Sequence, residues 1–284
     1  MPHPDNKPPM NDAPISVALP VHNQSAQIDK ALSAWANYLA KLERPFEILV
    51  VDDASSDDTA KRVEQFATKH PQVILLRQEQ QHGVGAALRV ALAQAKHPLF
   101  FYTSLDYPYQ PADLQKLLER INDVDVVNGL RSALPFPPNV ALLRSIYNFA
   151  ARVLIGVRRE SAPGWLGTPL TFYTRLMRTL FGVHLLDPDS SFKLFRREIF
   201  ARIPIQSEGP FVHTEILAKA NFLTCWMDEI AIGAQSNSTP DTLRPKFSWK
   251  EHWRDLRHVF FRPEFGEPGP PAPANEVAPV SSQS

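Results

Sequence analysis

The sequence predicts an α/β fold, a largely parallel sheet with helices on both faces. Short apolar, β-branched runs alternate with segments whose apolar residues recur at helical spacing. Polar and acidic residues gather just after those runs, at what would become one edge of the sheet. The chain has 284 residues, 44% of them apolar, enough for one large core or one core with a small appendage.

Each element has its own signature. ISVALP from Ile15 reads as the first strand, and Ile28, Leu32, Trp35 and Leu39 then repeat at helical spacing. Phe46 to Val51 is a fully buried strand, and Ser55 to Thr59 offers caps for a helix carrying Val63 and Phe66. VILLR from Val73 is the third strand, Val84 to Ala95 the third helix and LFFYT from Leu99 the fourth strand. Pro111 to Arg120 reads as a helix with proline in its first turn, and VDVVNG from Val124 as the fifth strand. Such a βαβ series implies right-handed crossovers.

Thirty basic residues balance thirty acidic ones with no basic run, which excludes an electrostatic case for nucleic acid. The single Cys225 has no metal-ligand spacing and reads as a small core residue in a reducing, cytoplasmic compartment. No apolar stretch approaches the ~20 residues that cross a bilayer. The opening MPHPDNKPPMNDAP lacks the apolar core of a signal peptide, and the end is rich in Pro, Ala and Ser; both ends are expected to be disordered.

The strand ends carry the candidate chemistry. Pro20, His22, Asn23 and Gln24 follow the first strand, Asp52 and Asp53 the second, Ser104 and Asp106 the fourth, and Arg131 the fifth. In an open parallel sheet this edge is the ligand crevice, so the acidic pair is placed to hydrogen-bond a nucleobase or ribose; capping and loop solvation are the alternative. A dinucleotide site would need a glycine-rich turn after the first strand, and HNQSAQ has none. Gly83 and Gly85 open the third helix, where backbone N–H groups could meet a phosphate, although tight turning explains them equally well.

LPVHNQ, VDDASSDDT, the HGVGAAL helix start and Asp106 occur in the order and spacing of the inverting family 2 glycosyltransferases. The chain resembles their polyprenyl-phosphate sugar transferase branch, the dolichyl-phosphate mannose synthase type. DPDSSFKLFRREIF from Asp187 resembles that branch's Asp-x-x-Ser-Gly-Phe-(Lys/Arg) segment. FVHTEILAKA, with Glu215, and TCWMDEIAI, read as a strand, resemble later stretches, so that coverage is about residues 15 to 260.

The resemblance implies a GT-A fold whose nucleotide-binding sheet is joined by amphipathic helices in the acceptor half. It implies that Pro20, His22, Asn23, Gln24, Asp52, Asp53, Gly83, Gly85, Ser104 and Asp106 hold a UDP- or GDP-linked sugar. The family commonly has Tyr and Glu where this chain has His22 and Gln24, and an Asp-x-Asp where it has Ser104-Leu105-Asp106, with Pro108 in place of a frequent Gln. Asp106 is then the ligand of a Mg2+ or Mn2+ ion that also bridges the donor's phosphates. An ionised lipid phosphate acceptor needs no general base; a hydroxyl acceptor would draw one from Asp187, His213 or Glu215, with Asp187 favoured. A salt bridge of Asp187 with Lys193 or Arg197 is the structural alternative. Arg131, Asp187 and Glu215 form the expected catalytic set, with Arg131 meeting either phosphate or a surface acid.

The organisation follows: an N-terminal segment 1–14, a nucleotide-sugar half 15–131, inserted helices 132–186, an acceptor half 187–262 and a proline-rich tail 263–284. Within the insert, YNFAARVLIGV from Tyr147 and YTRLMRTLFGV from Tyr173 share a spacing, with Arg144, Arg152, Arg158, Arg159, Arg175 and Arg178 nearby. Such helices suit a bilayer surface, or packing against the core or a second subunit. The aromatic and basic stretch from Phe247 fits a peripheral position at a membrane's cytoplasmic face, and Arg244 and Lys246 just before it resemble the basic loop by which this branch closes over the nucleotide. Three readings remain open: transfer to a lipid phosphate, transfer to a glycan hydroxyl, and a nucleotide-sugar-binding pseudoenzyme or regulatory partner suggested by Ser104 and Pro108.

Overall fold

The computed structural model describes residues 10, 12–131, 177–233 and 249–266, the last segment with side chains from Trp253 onward. Among these residues one sheet holds seven strands: β1 (Ile15–Val21), β2 (Phe46–Asp52), β3 (Val73–Arg77), β4 (Leu99–Tyr102), β5 (Val126–Arg131), β6 (Lys193–Arg196) and β7 (Met227–Ile232). Their order is β3-β2-β1-β4-β6-β5-β7. The neighbours pair in parallel except at β6, which runs antiparallel to both β4 and β5.

Strands covered on both faces read as largely apolar runs, and β1, β2 and β4 do so, with the buried Ser16 of β1 donating to Glu47 of β2 at 2.6 Å. Their alternate residues feed two cores. Val17, Leu19, Ile48, Val50, Leu99 and Phe101 face one side, where α1 (Ile28–Lys41) and α4 (Leu114–Arg120) pack. Ala18, Leu49, Val51, Phe100 and Tyr102 face the other, under α3 (Val84–Gln94) and α5 (Val212–Phe222). Ile28, Leu32, Trp35, Ala36 and Leu39 form the buried stripe of α1, and the Trp35 ring lies 5.4 Å from that of Phe101 and 6.2 Å from that of Phe192. Burial at this density over two faces supplies most of the fold's stabilisation, at roughly 25 cal/mol per Å² of apolar surface removed from water.

The elements expected up to Arg131 all occur, with shifted ends. β5 begins at Val126 rather than Val124, because the Asp125 and Val126 amides both turn to the carbonyl of Trp226. At the start of α2 (Thr59–Ala67), whose N-cap residue is Asp58, the Asp57 carboxylate accepts the Thr59 amide at 3.0 Å and the Ser25 amide at 3.1 Å. Pro111 opens a 3-10 turn, Pro111–Asp113, that runs into α4. Cys225 is a buried core thiol.

The strand β6 was not expected. Two of its four residues are charged, so no apolar run marks it, yet all four are buried. Arg196 donates to the carbonyls of Val124, Ile121 and Asn122, which keeps its guanidinium hydrogen-bonded inside the protein. α5 is buried from Val212 to Ala220 and so lacks a polar stripe, while α6 (Trp249–Phe261) seats Leu256 and Val259 on Met177 and Phe211. Residues 177–181 are helical. The expectations for 1–9, 132–176, 234–248 and 267–284, including the arginines from Arg144 to Arg175, Arg244 and Lys246, lie outside the described residues.

Candidate functional site

The order of the strands reverses between β1 and β4, since β1 leads outward to β2 and β3 while β4 leads the other way. Ligands of open α/β sheets bind beyond the carboxyl ends at such a point. Register sets Val21 beside Asp52 and Ala18 beside Tyr102, so Pro20 to Gln24, Asp52 and Asp53, and Ser104 to Asp106 emerge together.

The loops after β1 and β2 are knitted into one wall. Asn23 takes a left-handed conformation (φ 53°), which asparagine tolerates, and its side-chain oxygen accepts the Ser56 amide at 2.8 Å. His22 Nδ1 lies 2.7 Å from the carbonyl of Asp53; a carbonyl can only accept, so Nδ1 carries the proton and Nε2 accepts from Asn23 at 3.1 Å. The Gln24 amide donates to Thr59 Oγ1 at 2.8 Å. Asp52 is buried and accepts the Ser55 amide at 3.2 Å. Ala54, immediately after the acidic pair, is also left-handed (φ 54°), a strain of about 1–2 kcal/mol that the surrounding bonds hold in place.

Asp53 and the two glycines do something other than expected. The Asp53 carboxylate accepts the amides of His82 and Gly83, each at 2.8 Å, and so anchors the loop into α3. The Gly85 amide donates to Glu208 O at 2.7 Å, and a Cβ there would stand 2.0 Å from Ser207 O. A Cβ on Gly83 would stand 2.6 Å from Glu208 O. The amides offered to a phosphate are therefore already satisfied, and the glycines are explained by close backbone approach.

On the β4 side, Ser104 Oγ lies 2.7 Å from Ser191 Oγ, which lies 3.0 Å from the Tyr109 hydroxyl. Asp106 stays open to solvent while the dense protein around it pushes its carboxyl above the usual value, against a hydrogen bond from Ser104 that lowers it. Among the described residues no group of three His, Cys, Asp or Glu side chains gathers to hold a metal unaided. One accessible carboxylate beside a hydroxyl does fit a hard cation that takes its remaining oxygens from substrate phosphates and water.

Deeper in the edge, Asp187 and Arg131 form a buried, two-pronged ion pair, with Nε and Nη2 each 2.7 Å from a carboxylate oxygen. Burial works against the Arg131 charge, but Asp187 more than offsets this and raises its proton affinity. Its guanidinium carbon lies 6.0 Å from the Tyr107 ring centre, next in sequence to Asp106. The ion-pair partner is thus Arg131 rather than Lys193 or Arg197, the structural alternatives to a base role, and both carboxylate oxygens accept from its guanidinium.

Glu215, expected to be catalytic, is fully buried. Its oxygens accept the Gln206 and Ser207 amides, each at 2.8 Å, and Lys219 Nζ at 2.7 Å. It holds the 206–207 turn against Gly85, and meeting a ligand would leave those donors unpaired. His213 Nδ1 is 2.9 Å from the Tyr102 hydroxyl, with the rings stacked.

The residues that sequence reasoning missed are those behind the ion pair. Glu229 accepts the Leu186 and Asp187 amides, at 2.8 and 3.0 Å, and Asn128 donates to Glu229 at 2.7 Å and to Asp187 O at 2.9 Å. Lys193 donates to Asn128 Oδ1 and, at 3.1 Å, to Pro188 O. A polar residue inside an otherwise apolar strand was the only signal for Asn128.

The family model described as glycosyl transferase family 2 matches residues 16–203. A dolichyl-phosphate beta-glucosyltransferase of Trichomonas vaginalis is 29% identical over 63% of this chain and 51% of its own length. A dolichol-phosphate mannosyltransferase of Pyrococcus furiosus is 30% identical over 87% of this chain and 62% of its own. The chain thus spans between about half and three-quarters of the length of the curated relatives it matches first. Among solved structures, a glucosyl-3-phosphoglycerate synthase from Mycobacterium tuberculosis, with Mn2+, UDP-glucose and phosphoglyceric acid, superposes with a TM-score of 0.54. It is 19% identical and covers 83% of this chain and 74% of that one, a likeness of GT-A fold.

Proposed function

The chain belongs to glycosyl transferase family 2, and from that premise we propose that it transfers a sugar from a nucleotide-sugar donor to a polyprenyl-phosphate-like lipid, with inversion. The observation that carries this reading is the juxtaposition at one sheet edge of an accessible acid, Asp106, and a buried ion pair, Arg131 with Asp187. Relatives named for dolichyl-phosphate substrates support the lipid acceptor. A peripheral position at the cytoplasmic membrane face belongs to the same reading; no helix among the described residues is long and apolar enough to cross a bilayer.

In this reading Pro20, His22, Asn23, Gln24 and Asp52 line the nucleoside side, with the His22 tautomer fixed by Asp53 O. Asp106, with Ser104, would hold a Mg2+ or Mn2+ ion, which when bound offsets charge on the departing diphosphate. The acceptor phosphate is already ionised, so an oxygen of it attacks the anomeric carbon from the face opposite the diphosphate. The new C–O bond forms as the old one breaks, and the electron pair leaves with the nucleotide. Arg131, oriented by Asp187, steers the phosphate, and no side chain has to accept a proton. The engagement of both Asp187 oxygens favours this over a hydroxyl acceptor, which would need a base.

Calorimetric titration with UDP- and GDP-sugars, with and without Mn2+, on wild type and Asp106→Asn tests the donor side. Metal-dependent binding that falls at least about tenfold in the variant is expected. Radiolabelled transfer to a polyprenyl phosphate in anionic vesicles tests the acceptor. Donor binding with no transfer to any acceptor would overturn the enzyme reading and favour a nucleotide-sugar-binding partner protein.

A further inference from the structure

Lys193 is a buried titratable group that the reaction above does not use. It stands at the amino end of β6, level with Tyr102 of β4 and Asn128 of β5, and is fully shielded from solvent. Its ammonium reaches Asn128 Oδ1 and Pro188 O, both acceptors. Asn128 then turns its amide to Asp187 O and Glu229, and Glu229 in turn holds the Leu186 and Asp187 amides. The loop bearing Asp187 is thus hung from β5, β6 and β7 through one polar chain.

We infer that Lys193 is a positioning residue whose proton sets the strength with which the Arg131–Asp187 edge receives a phosphate monoester. Three carboxylates, Asp187, Asp189 and Glu229, face two cations, Arg131 and Lys193. Tyr102 stands beside Lys193 on β4, and His213 of α5 stacks on that phenol. Loss of the Lys193 proton raises the uncompensated negative charge from one to two, and an incoming dianion is repelled accordingly. Burial, opposed by Asp187 and Asp189, pushes the ammonium down to about 7, while burial pushes Glu229 up. Neutral Lys193 still has two N–H groups for its two acceptors, so the fold survives deprotonation and only the charge changes.

The inference rests on the acceptor reading above, and its test does not need turnover. The probe is a short-chain prenyl monophosphate, titrated calorimetrically into the full chain between pH 7 and 9, where a phosphate monoester with its second pKa near about 6 is already a dianion. Affinity should fall about fivefold across that range in wild type. It should stay flat in Lys193→Arg, which keeps the charge, and be uniformly weak in Lys193→Met. UDP and GDP affinity should not follow this slope. Carbon-13 lysine NMR, with the Lys193 signal identified by its loss in Lys193→Arg, should show a midpoint near neutrality. Saturating prenyl phosphate should raise that midpoint by about one unit, as reciprocal coupling requires.

A slope that persists in Lys193→Arg, or a Lys193 midpoint at an ordinary lysine value, overturns the inference alone. A pH-dependent affinity without sugar transfer supports the inference while the transferase reading fails. Absence of prenyl phosphate binding at every pH overturns both it and the lipid acceptor.

Discussion

Replacing Asp187 by asparagine keeps the side chain's shape and removes its charge, leaving Arg131 buried without its two-pronged partner. Breaking a buried pair from one side costs about 3–5 kcal/mol. Urea unfolding of Asp187→Asn should show an unfolding free energy lowered by that amount, and so a lower midpoint, with an unchanged m value. A loss below about 1 kcal/mol would mean that the pair does not anchor the edge. The acid was visible in sequence as part of a matched segment and Arg131 as a strand-end residue, but their pairing was not, because Arg131 lies 56 residues away on β5. Asp53 shows the reverse. Its place at a strand end was legible, whereas its engagement by the His82 and Gly83 amides depends on where the next loop returns.

Among the elements, the start of α3 is the one most constrained by a neighbour that is distant in sequence. Gly85 lies against the backbone of Ser207 and Glu208, and that turn is held from behind by Glu215 and Lys219 of α5. Gly85→Ala puts a Cβ 2.0 Å from Ser207 O, and backbone on both sides cannot yield as a flexible side chain would. A stability loss of about 1–3 kcal/mol is expected, read as a lowered thermal midpoint. A midpoint equal to wild type would show that the turn moves freely. The sequence marked this glycine pair as either phosphate cradle or tight turn, and only the packing of α5 decided between them. β6 was illegible for a different reason: its lysine and arginine are buried through hydrogen bonds supplied by other elements, which hydrophobic periodicity does not record.

Across the whole molecule, the sheet does not separate into an amino-terminal and a carboxy-terminal half. β6 is inserted between β4 and β5, and β7 pairs with β5, so strands from residues 193–232 complete a sheet begun by residues 15–131. The described residues should therefore unfold as one cooperative unit. Far-ultraviolet circular dichroism and tryptophan fluorescence should give coincident urea transitions. Two resolved transitions would show that the halves are independent.

The sequence by itself determined the alternation of strands and helices up to Arg131, the edge at which polar residues collect, and the family resemblance. These follow from hydrophobic period and local turn chemistry, which a chain carries within a few residues of each position. The tertiary structure alone decided which charge meets which: Asp187 with Arg131, Glu229 with Asn128 across 101 residues, Asp53 with the loop into α3. The first two partnerships depend on the order β4-β6-β5-β7 and the third on β2 lying beside β3, and strand order is set by the packing of the whole sheet.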